Sequence, residues 1–275
     1  MTNIKFLKSI SRTEVALFGG KGSSLGELAK LKGIKVPEAF VLNTKITKGN
    51  LNNYKKEILQ KFAKLKCQYV AVRSSATKED SQDSSFAGQF DTFLNVDKSG
   101  LFSKIIKCYN SLSSSKILNY CKSKNLKPEE IKVAIVVQKM IQSEISGIAF
   151  SVNPINNNKN EIMVEAGYGL GEYIVSGVIT PDKYIFSRKT KAVLEKKINY
   201  QEYQLSFSSK TKSNKEQEVL LEKRNAQKLP SHFFKILLDN IFNIEKKYQK
   251  PVDIEWAIAD GILYITQARP ITTLK

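Results

Sequence analysis

The sequence predicts an α+β protein of two lobes, and three observations carry that prediction. Amphipathic stretches with apolar residues three and four apart alternate with short apolar runs of strand length. The stretch "PDKYIFSRKTKAVLEKKI" reads as a meander of strands, and "VDIEWAIADGILYITQARP" reads as a hairpin. No repeat and no linker marks a boundary. It is set near Gln138–Ile141, giving lobes of residues 1–138 and 139–275.

Taken in order, "GGKGSSLGELAKLKG" opens on glycines and serines, continues with Leu25, Leu28 and Leu31 at helical spacing, and stops at Gly33. A strand, "VPEAFVL", follows a proline. Residues 51–66 space Leu51, Tyr54, Ile58, Phe62 and Leu65 as the apolar stripe of a helix. "YVAVRSS" is a strand, "LFSKIIKCYNSLSSSKILNYCKSKN" is one helix or two, and "KVAIVVQKM" is a buried strand. The second lobe opens with "SGIAFSVNP", and "EIMVEAGYGLGE" is a strand entering a glycine-rich turn. The polar, lysine-rich segment 203–229 is expected to be a mobile insertion or long surface loop. "SHFFKILLDNIFNIEKKY" is a helix leading into the final hairpin.

Composition narrows the class of protein. A hydrophobic fraction of 41% with 25% charged residues is ordinary for a globular chain. No apolar run is long enough to span a membrane, and "MTNIKFLKSISR" lacks the continuous core and cleavage site of a signal peptide. Cys67, Cys108 and Cys121 have no CxxC spacing, which argues against a disulfide framework or a zinc site and fits a reducing cytoplasm. The net charge of +18 invites a nucleic-acid reading. However, only Arg12, Arg73, Arg188, Arg224 and Arg269 are arginines, and the lysines are scattered with no aromatic-interleaved patch. A solvated lysine surface with a general attraction for anions accounts for them.

Three stretches hold residues suited to anion or metal chemistry. In the last hairpin, Asp253 and Glu255 share one face of their strand. A three-residue turn, Ala259–Gly261, with Gly261 at positive φ, sets Asp253 opposite Gln267 and puts Glu255, Gln267 and Arg269 on one face. A two-residue turn puts Gln267 and Arg269 on the opposite face, so the expectation rests on the loop length. Oxygen ligands beside an arginine suit Mg²⁺ bridging phosphate oxygens, and a solvated, salt-bridged face has the same pattern. In "GGKGSSLGEL", backbone N–H groups and Lys21 could meet an anion at a helix start, or the glycines simply begin a helix; Walker A spacing is absent. Arg73 ends a buried strand before a loop of small residues, as a phosphate grip or as a structural arginine. His232, the single histidine, lies at a helix start without a nucleophile partner.

In this order the segments "GGKGSSLGEL", "VPEAFVL", "VAVRSSATKEDSQDSSFAGQFDTFLNV", "VVQKMIQSEISGIAFSVNP", "VEAGYGLGEYIVSGVITPDKY" and "DIEWAIADGILYITQARPI" resemble one family across roughly residues 18 to 271. It is the N-terminal ATP-binding domain of the phosphoenolpyruvate synthase (pyruvate, water dikinase) and pyruvate, phosphate dikinase family, a domain that rifampin phosphotransferase shares. The resemblance implies an ATP-grasp-like fold with ATP in the cleft between two lobes. It implies that Lys21 and Arg73 bind the ATP phosphates and that the loop with Ser85, Ala87, Gly88 and Gln89 closes over them. Gln138, Lys139 and Met140 would form the adenine-binding hinge, with Glu165 and Glu172 near the nucleotide. Glu255 and Gln267 would hold Mg²⁺, and Arg269 would meet the transferring phosphoryl group.

Full-length family members continue into a swivelling phosphohistidine domain, and in the dikinases into a pyruvate-binding barrel. Here the sequence stops at Lys275, and His232 matches no phosphohistidine motif. The expectation is therefore a cytoplasmic ATP-dependent phosphotransferase subunit acting on a phosphohistidine-domain protein in trans, with no membrane or nucleic-acid partner. Two alternatives stand beside it: an ATP-binding regulatory module without turnover, and a stand-alone phosphotransferase for a small acceptor.

Overall fold

The computed structural model describes residues 2–78, 80–81, 84–85, 90–124 and 126–271, with backbone alone for 80, 81, 84 and 85. The chain divides into two compact units, Met1–Lys30 with Pro37–Met140, and Leu31–Val36 with Ile141–Lys275.

The first unit runs β1 (Ile4–Phe6), α1 (Val15–Leu28), β2 (Ala39–Leu42), α2 (Lys55–Lys64), β3 (Val70–Ala76), β4 (Asp80–Ser81), β5 (Ser84–Ser85), β6 (Thr92–Val96), α3 (Leu101–Ser111), α4 (Ser115–Ser123) and β7 (Val133–Lys139). Five strands form an antiparallel sheet in the order β1-β2-β7-β3-β6, while β4 and β5 pair with each other. Strand alternation divides the sheet's residues. Phe40, Leu42, Val72, Ile135 and Val137 join Ile58, Phe62, Ile105, Cys108, Ile117 and Cys121 of the three later helices in one buried cluster. Each of the Val, Leu, Ile and Phe side chains contributes about 1.5–3 kcal/mol on leaving water. Ala71, Arg73, Ser75, Val136 and Gln138 alternate with the sheet's share of that cluster and lie on the other face.

The second unit runs β8 (Ile145–Phe150), β9 (Glu161–Tyr168), α5 (Glu172–Val175), β10 (Asp182–Ser187), β11 (Val193–Lys197), β12 (Tyr203–Ser208), β13 (Ser213–Glu218), α6 (Leu221–Arg224), α7 (His232–Tyr248), β14 (Val252–Ala259) and β15 (Ile262–Pro270). Six strands make an antiparallel sheet in the order β11-β10-β9-β8-β14-β15. On its apolar face the Phe234 ring of α7 stands edge-on to Tyr184 and Phe186, at 5.5 and 5.1 Å between centroids. Val164, Ala149, Ile254 and Trp256 share that face by register. Gly147 lies across from Trp256, where a Cβ would sit 2.3 Å from the indole ring, so only glycine fits. Leu31–Val36 joins this unit through the Ile265 N–H, which donates to the Lys35 carbonyl at 2.8 Å.

Three expectations change. The segment 203–229 is not a long loop: it holds the β12–β13 hairpin and α6. Buried Arg224 ties it together, donating to the Val219 carbonyl (2.8 Å), the Tyr200 hydroxyl (3.1 Å) and Glu218 (2.7 Å). The first helix ends at Leu28, so Leu31 lies beyond it. The final hairpin turns in two residues, Asp260 and Gly261, both at positive φ (51° and 69°). Among the described residues, no helix is long and apolar enough to cross a membrane.

Candidate functional site

In the first unit, Lys21 is seated by a break in a helix. Gly19 takes φ 69° and ψ 173°, interrupting α1, and a Cβ there would lie 2.1 Å from the Ser75 carbonyl oxygen. Only glycine permits that approach. The interruption leaves a carbonyl and an N–H without helical partners, and Ser75 supplies both bonds. Its hydroxyl donates to the Phe18 carbonyl (2.9 Å) and accepts from the Gly22 N–H (2.9 Å). Between these two contacts, the buried Lys21 Nζ donates to the Ser74 carbonyl at 3.0 Å.

The same strand carries Arg73, one residue before Ser74. Its guanidinium is buried and donates through Nη1 to Gln138 Oε1 at 3.1 Å. Gln138 Nε2 is buried and has no hydrogen-bond partner among the described residues, so an acceptor is owed to it. Lys139 and Met140 continue out of β7, their N–H groups donating to the carbonyls of Glu38 (2.7 Å) and Tyr69 (3.1 Å). The structure thus brings Lys21, Arg73 and Gln138 onto adjoining elements of one unit. Ser85 is placed in the β4–β5 pair. Ala87, Gly88 and Gln89 lie outside the described residues, as does the lid expected of them.

In the second unit, the face opposite α7 carries a polar row. Register aligns Lys183, Glu165, Ile148, Glu255 and Gln267 across five strands, and beside them Met163, Phe150, Asp253 and Arg269. The two-residue turn alone would have sent Gln267 and Arg269 to the apolar face. A bulge at Thr266, between the Glu255 and Trp256 positions, adds one residue to β15 and returns them. Asp253 therefore faces Arg269, and Gln267 faces Glu255, where the sequence reading had Asp253 opposite Gln267. The shared face of Glu255, Gln267 and Arg269 survives by a different route.

Asp253 accepts from Arg269 Nε (2.8 Å) and Nη2 (2.6 Å) on one oxygen. Burial pushes the Asp253 carboxyl up, and Arg269 pulls it back toward the ionised form. Glu165 is likewise raised by burial, opposed by Lys183. Among the described residues no three His, Cys, Asp or Glu side chains cluster as a metal cage. Glu172 lies apart from the row, exposed at the start of α5 after Gly169 (φ 87°). His232 is exposed at the start of α7, its ring against Phe233.

Sequence reasoning missed Ser74 and Ser75 as the seat of Lys21, and Asp253 as the partner of Arg269. Two small polar residues inside a wholly buried strand were the available signal for the serines.

The family pattern described as "Pyruvate phosphate dikinase, AMP/ATP-binding domain" matches residues 46–275. A probable phosphoenolpyruvate synthase of Archaeoglobus fulgidus is 35% identical over 99% of this chain and 42% of that protein. One of Methanocaldococcus jannaschii is 36% identical over 100% of this chain and 27% of that protein. The rifampicin phosphotransferase of Bacillus subtilis is 31% identical over 98% of this chain and 36% of its own length. The chain thus spans less than half of each of these relatives. Among solved structures, the D-alanine–D-alanine ligase of Bacillus anthracis complexed with ATP aligns over 90% of this chain and 54% of that one, with a TM-score of 0.40 and 11% identity.

Proposed function

Because the chain belongs to the family of pyruvate phosphate dikinase AMP/ATP-binding domains, we propose that it binds ATP with Mg²⁺ and passes a phosphoryl group to a histidine of a phosphohistidine-domain partner. The observation that carries this reading is the polar row of the second unit, where three carboxylates, an amide, a guanidinium and an ammonium share one sheet face. Such a row has the donors and acceptors that a triphosphate and its cation require.

In this reading Lys21 and Arg73 hold the phosphates from the first unit, with Lys21 exchanging the Ser74 carbonyl for a phosphate oxygen. The amide nitrogen of Gln138 is the donor left over for the nucleotide, with Lys139 and Met140 beside it. Ser85, Ala87, Gly88 and Gln89 close over the phosphates, and Glu165 and Glu172 accept from the nucleotide. The facing oxygens of Glu255 and Gln267 fit a hard cation. Mg²⁺ held there would neutralise phosphate charge. Arg269, braced by Asp253, stabilises the phosphoryl group as it moves. The partner's imidazole nitrogen forms the new bond to phosphorus while the bond from phosphorus to the bridging oxygen breaks, its electron pair leaving on that oxygen. Catalysis is then positioning and charge neutralisation. The free thiols Cys67, Cys108 and Cys121 accord with a reducing, cytoplasmic setting.

The test mixes the chain with radiolabelled ATP, Mg²⁺ and a phosphohistidine-domain protein and measures acid-labile phosphate on that protein. Arg269→Ala and Glu255→Ala are expected to lower the transfer rate by about 100-fold or more with far-ultraviolet dichroism unchanged. Transfer at wild-type rates in both variants removes these residues from the site.

A further inference from the structure

Glu165 is a half-buried carboxylate that accepts no hydrogen bond from any described residue, at the centre of the polar row. Its cross-strand neighbour on β10 is Lys183, directly opposite. The Lys183 ammonium does not rest on Glu165. It reaches the other way, to Glu195 on edge strand β11, at 2.9 Å. Lysine has a flexible four-carbon stem and a point charge, so one ammonium can serve carboxylates on either side of its strand. The lysine is 28% exposed and Glu195 is 52% exposed, so the pair they form is solvent-screened and cheaply broken.

The other groups around Glu165 do not compete for this role. Ile148 on β8 and Met163 on its own strand are apolar, and Glu255 lies two strands away with the same sign. Lys197 on β11 stands directly across from Lys183, on the side of β10 away from Glu165, with Glu195 two residues along the same strand. At the Gly167 end of this face, α5 brings Ile174 over the sheet, and its one carboxylate, Glu172, is exposed. Lys183 is the cation placed next to Glu165.

We propose that Lys183 is a positioning residue shared by Glu165 and Glu195, and that its exchange between them sets how well Glu165 serves as an acceptor for the nucleotide. The charge sharing stands on the sheet register alone. The second half rests on the reading of Glu165 as a nucleotide ligand.

Glu195 is exposed and Lys183 partly so, and neither belongs to the buried core, so the substitutions Lys183→Met and Glu195→Gln leave that core untouched. The measurement is the carboxyl ¹³C titration of Glu165 in the full chain without nucleotide, the resonance assigned by its loss in Glu165→Gln. Removing the cation is expected to raise the titration midpoint. Removing the competing carboxylate frees Lys183 for Glu165 and is expected to lower it. Each shift should be roughly half a pH unit or more, since an opposite charge nearby favours the ionised form. The acid limb of ATP affinity, measured by calorimetry in Mg²⁺ buffer, should move in the same two directions. A Glu165 midpoint unmoved by both substitutions overturns the proposal whatever ATP does. Opposite shifts in midpoint with an unchanged pH profile for ATP overturn the nucleotide role of Glu165, and with it the second half of the proposal, while leaving Lys183 as the shared counter-ion.

Discussion

A single glycine and a single serine decide where Lys21 stands. Gly19 permits strand β3 to approach within a distance no side chain could share, and Ser75 then satisfies both ends of the broken helix. Gly19→Ala meets two penalties at once. A non-glycine residue at φ 69° and ψ 173° costs about 1–3 kcal/mol, because that region is essentially reserved for glycine, and the new Cβ would need β3 to retreat from 2.1 Å. The expected loss is therefore more than about 2 kcal/mol in urea denaturation; if Lys21 and Arg73 hold the phosphates as proposed, ATP binding weakens too, because Lys21 is hydrogen-bonded to β3 and Arg73 lies on it. A variant as stable as the wild type would show that the break in α1 is not required. Arg269 is held in a comparable way, by Asp253, whose carboxyl burial raises and the guanidinium lowers. A carboxyl raised by burial contributes most to stability when protonated, and loses that contribution as pH rises from its unfolded to its folded value. Ionised Asp253 therefore orients Arg269 at some cost to the fold, a cost that grows as pH rises through that range.

The β14–β15 hairpin shows what strand patterns disclose and what they conceal. The alternation in "VDIEWAIA" gave the faces of β14 correctly, because period-two burial leaves a direct mark on residue type. Turn length was not legible, since "ADG" suits both a three-residue loop and a two-residue turn with its first strand one residue longer. A trace of the bulge was present: on the apolar side Leu263 and Ile265 are two apart, but Ile265 and Ala268 are three apart. That stutter is what an extra residue does to a strand. Segment 203–229 was harder still. Strand β13, "SNKEQE", is polar throughout and carries no hydrophobic period, whereas β12, "YQLSFS", alternates Tyr203, Leu205 and Phe207 with polar residues and buries Leu205, a strand signal hidden by its lysine-rich surroundings. At the turn, Asp260 and Gly261 both occupy the left-handed region that Asn, Asp and Gly tolerate. Asp260→Val is expected to cost about 1–2 kcal/mol, because a β-branched residue is strained there, whereas Asp260→Asn should leave stability within about 0.5 kcal/mol. Thermal melts of the pair check this; equal melting temperatures would mean that the turn has another conformation.

At the scale of the whole molecule, two units each carry their own sheet and core, and a fully buried ion pair serves the second alone. Lys228 Nζ lies 3.1 Å from Asp182 Oδ1, both side chains wholly inaccessible. Asp182 also accepts from the Lys228 N–H (2.8 Å), the Asn199 N–H (3.0 Å) and the Tyr184 hydroxyl (2.9 Å), while Lys228 Nζ donates to the carbonyls of Asn199 and Arg224. The pair fastens the segment after β11 to β10, and nothing in the spacing of an aspartate and a lysine so far apart in sequence could reveal it. Removing one partner strands a buried charge, at about 3–5 kcal/mol. Chains with more than one core often unfold in more than one step, and the single tryptophan, Trp256, is buried in the second unit. In Asp182→Ala, the fluorescence transition in urea is therefore expected to move to lower denaturant. The far-ultraviolet dichroism transition should split, its later part matching the first unit at its wild-type midpoint. Lys228→Met should do the same, and the double replacement should cost less than the sum of the two, because neither charge is then left alone in the interior. Coincident fluorescence and dichroism transitions in Asp182→Ala would mean that the two cores melt as one cooperative body, and that the buried pair stabilises the entire chain.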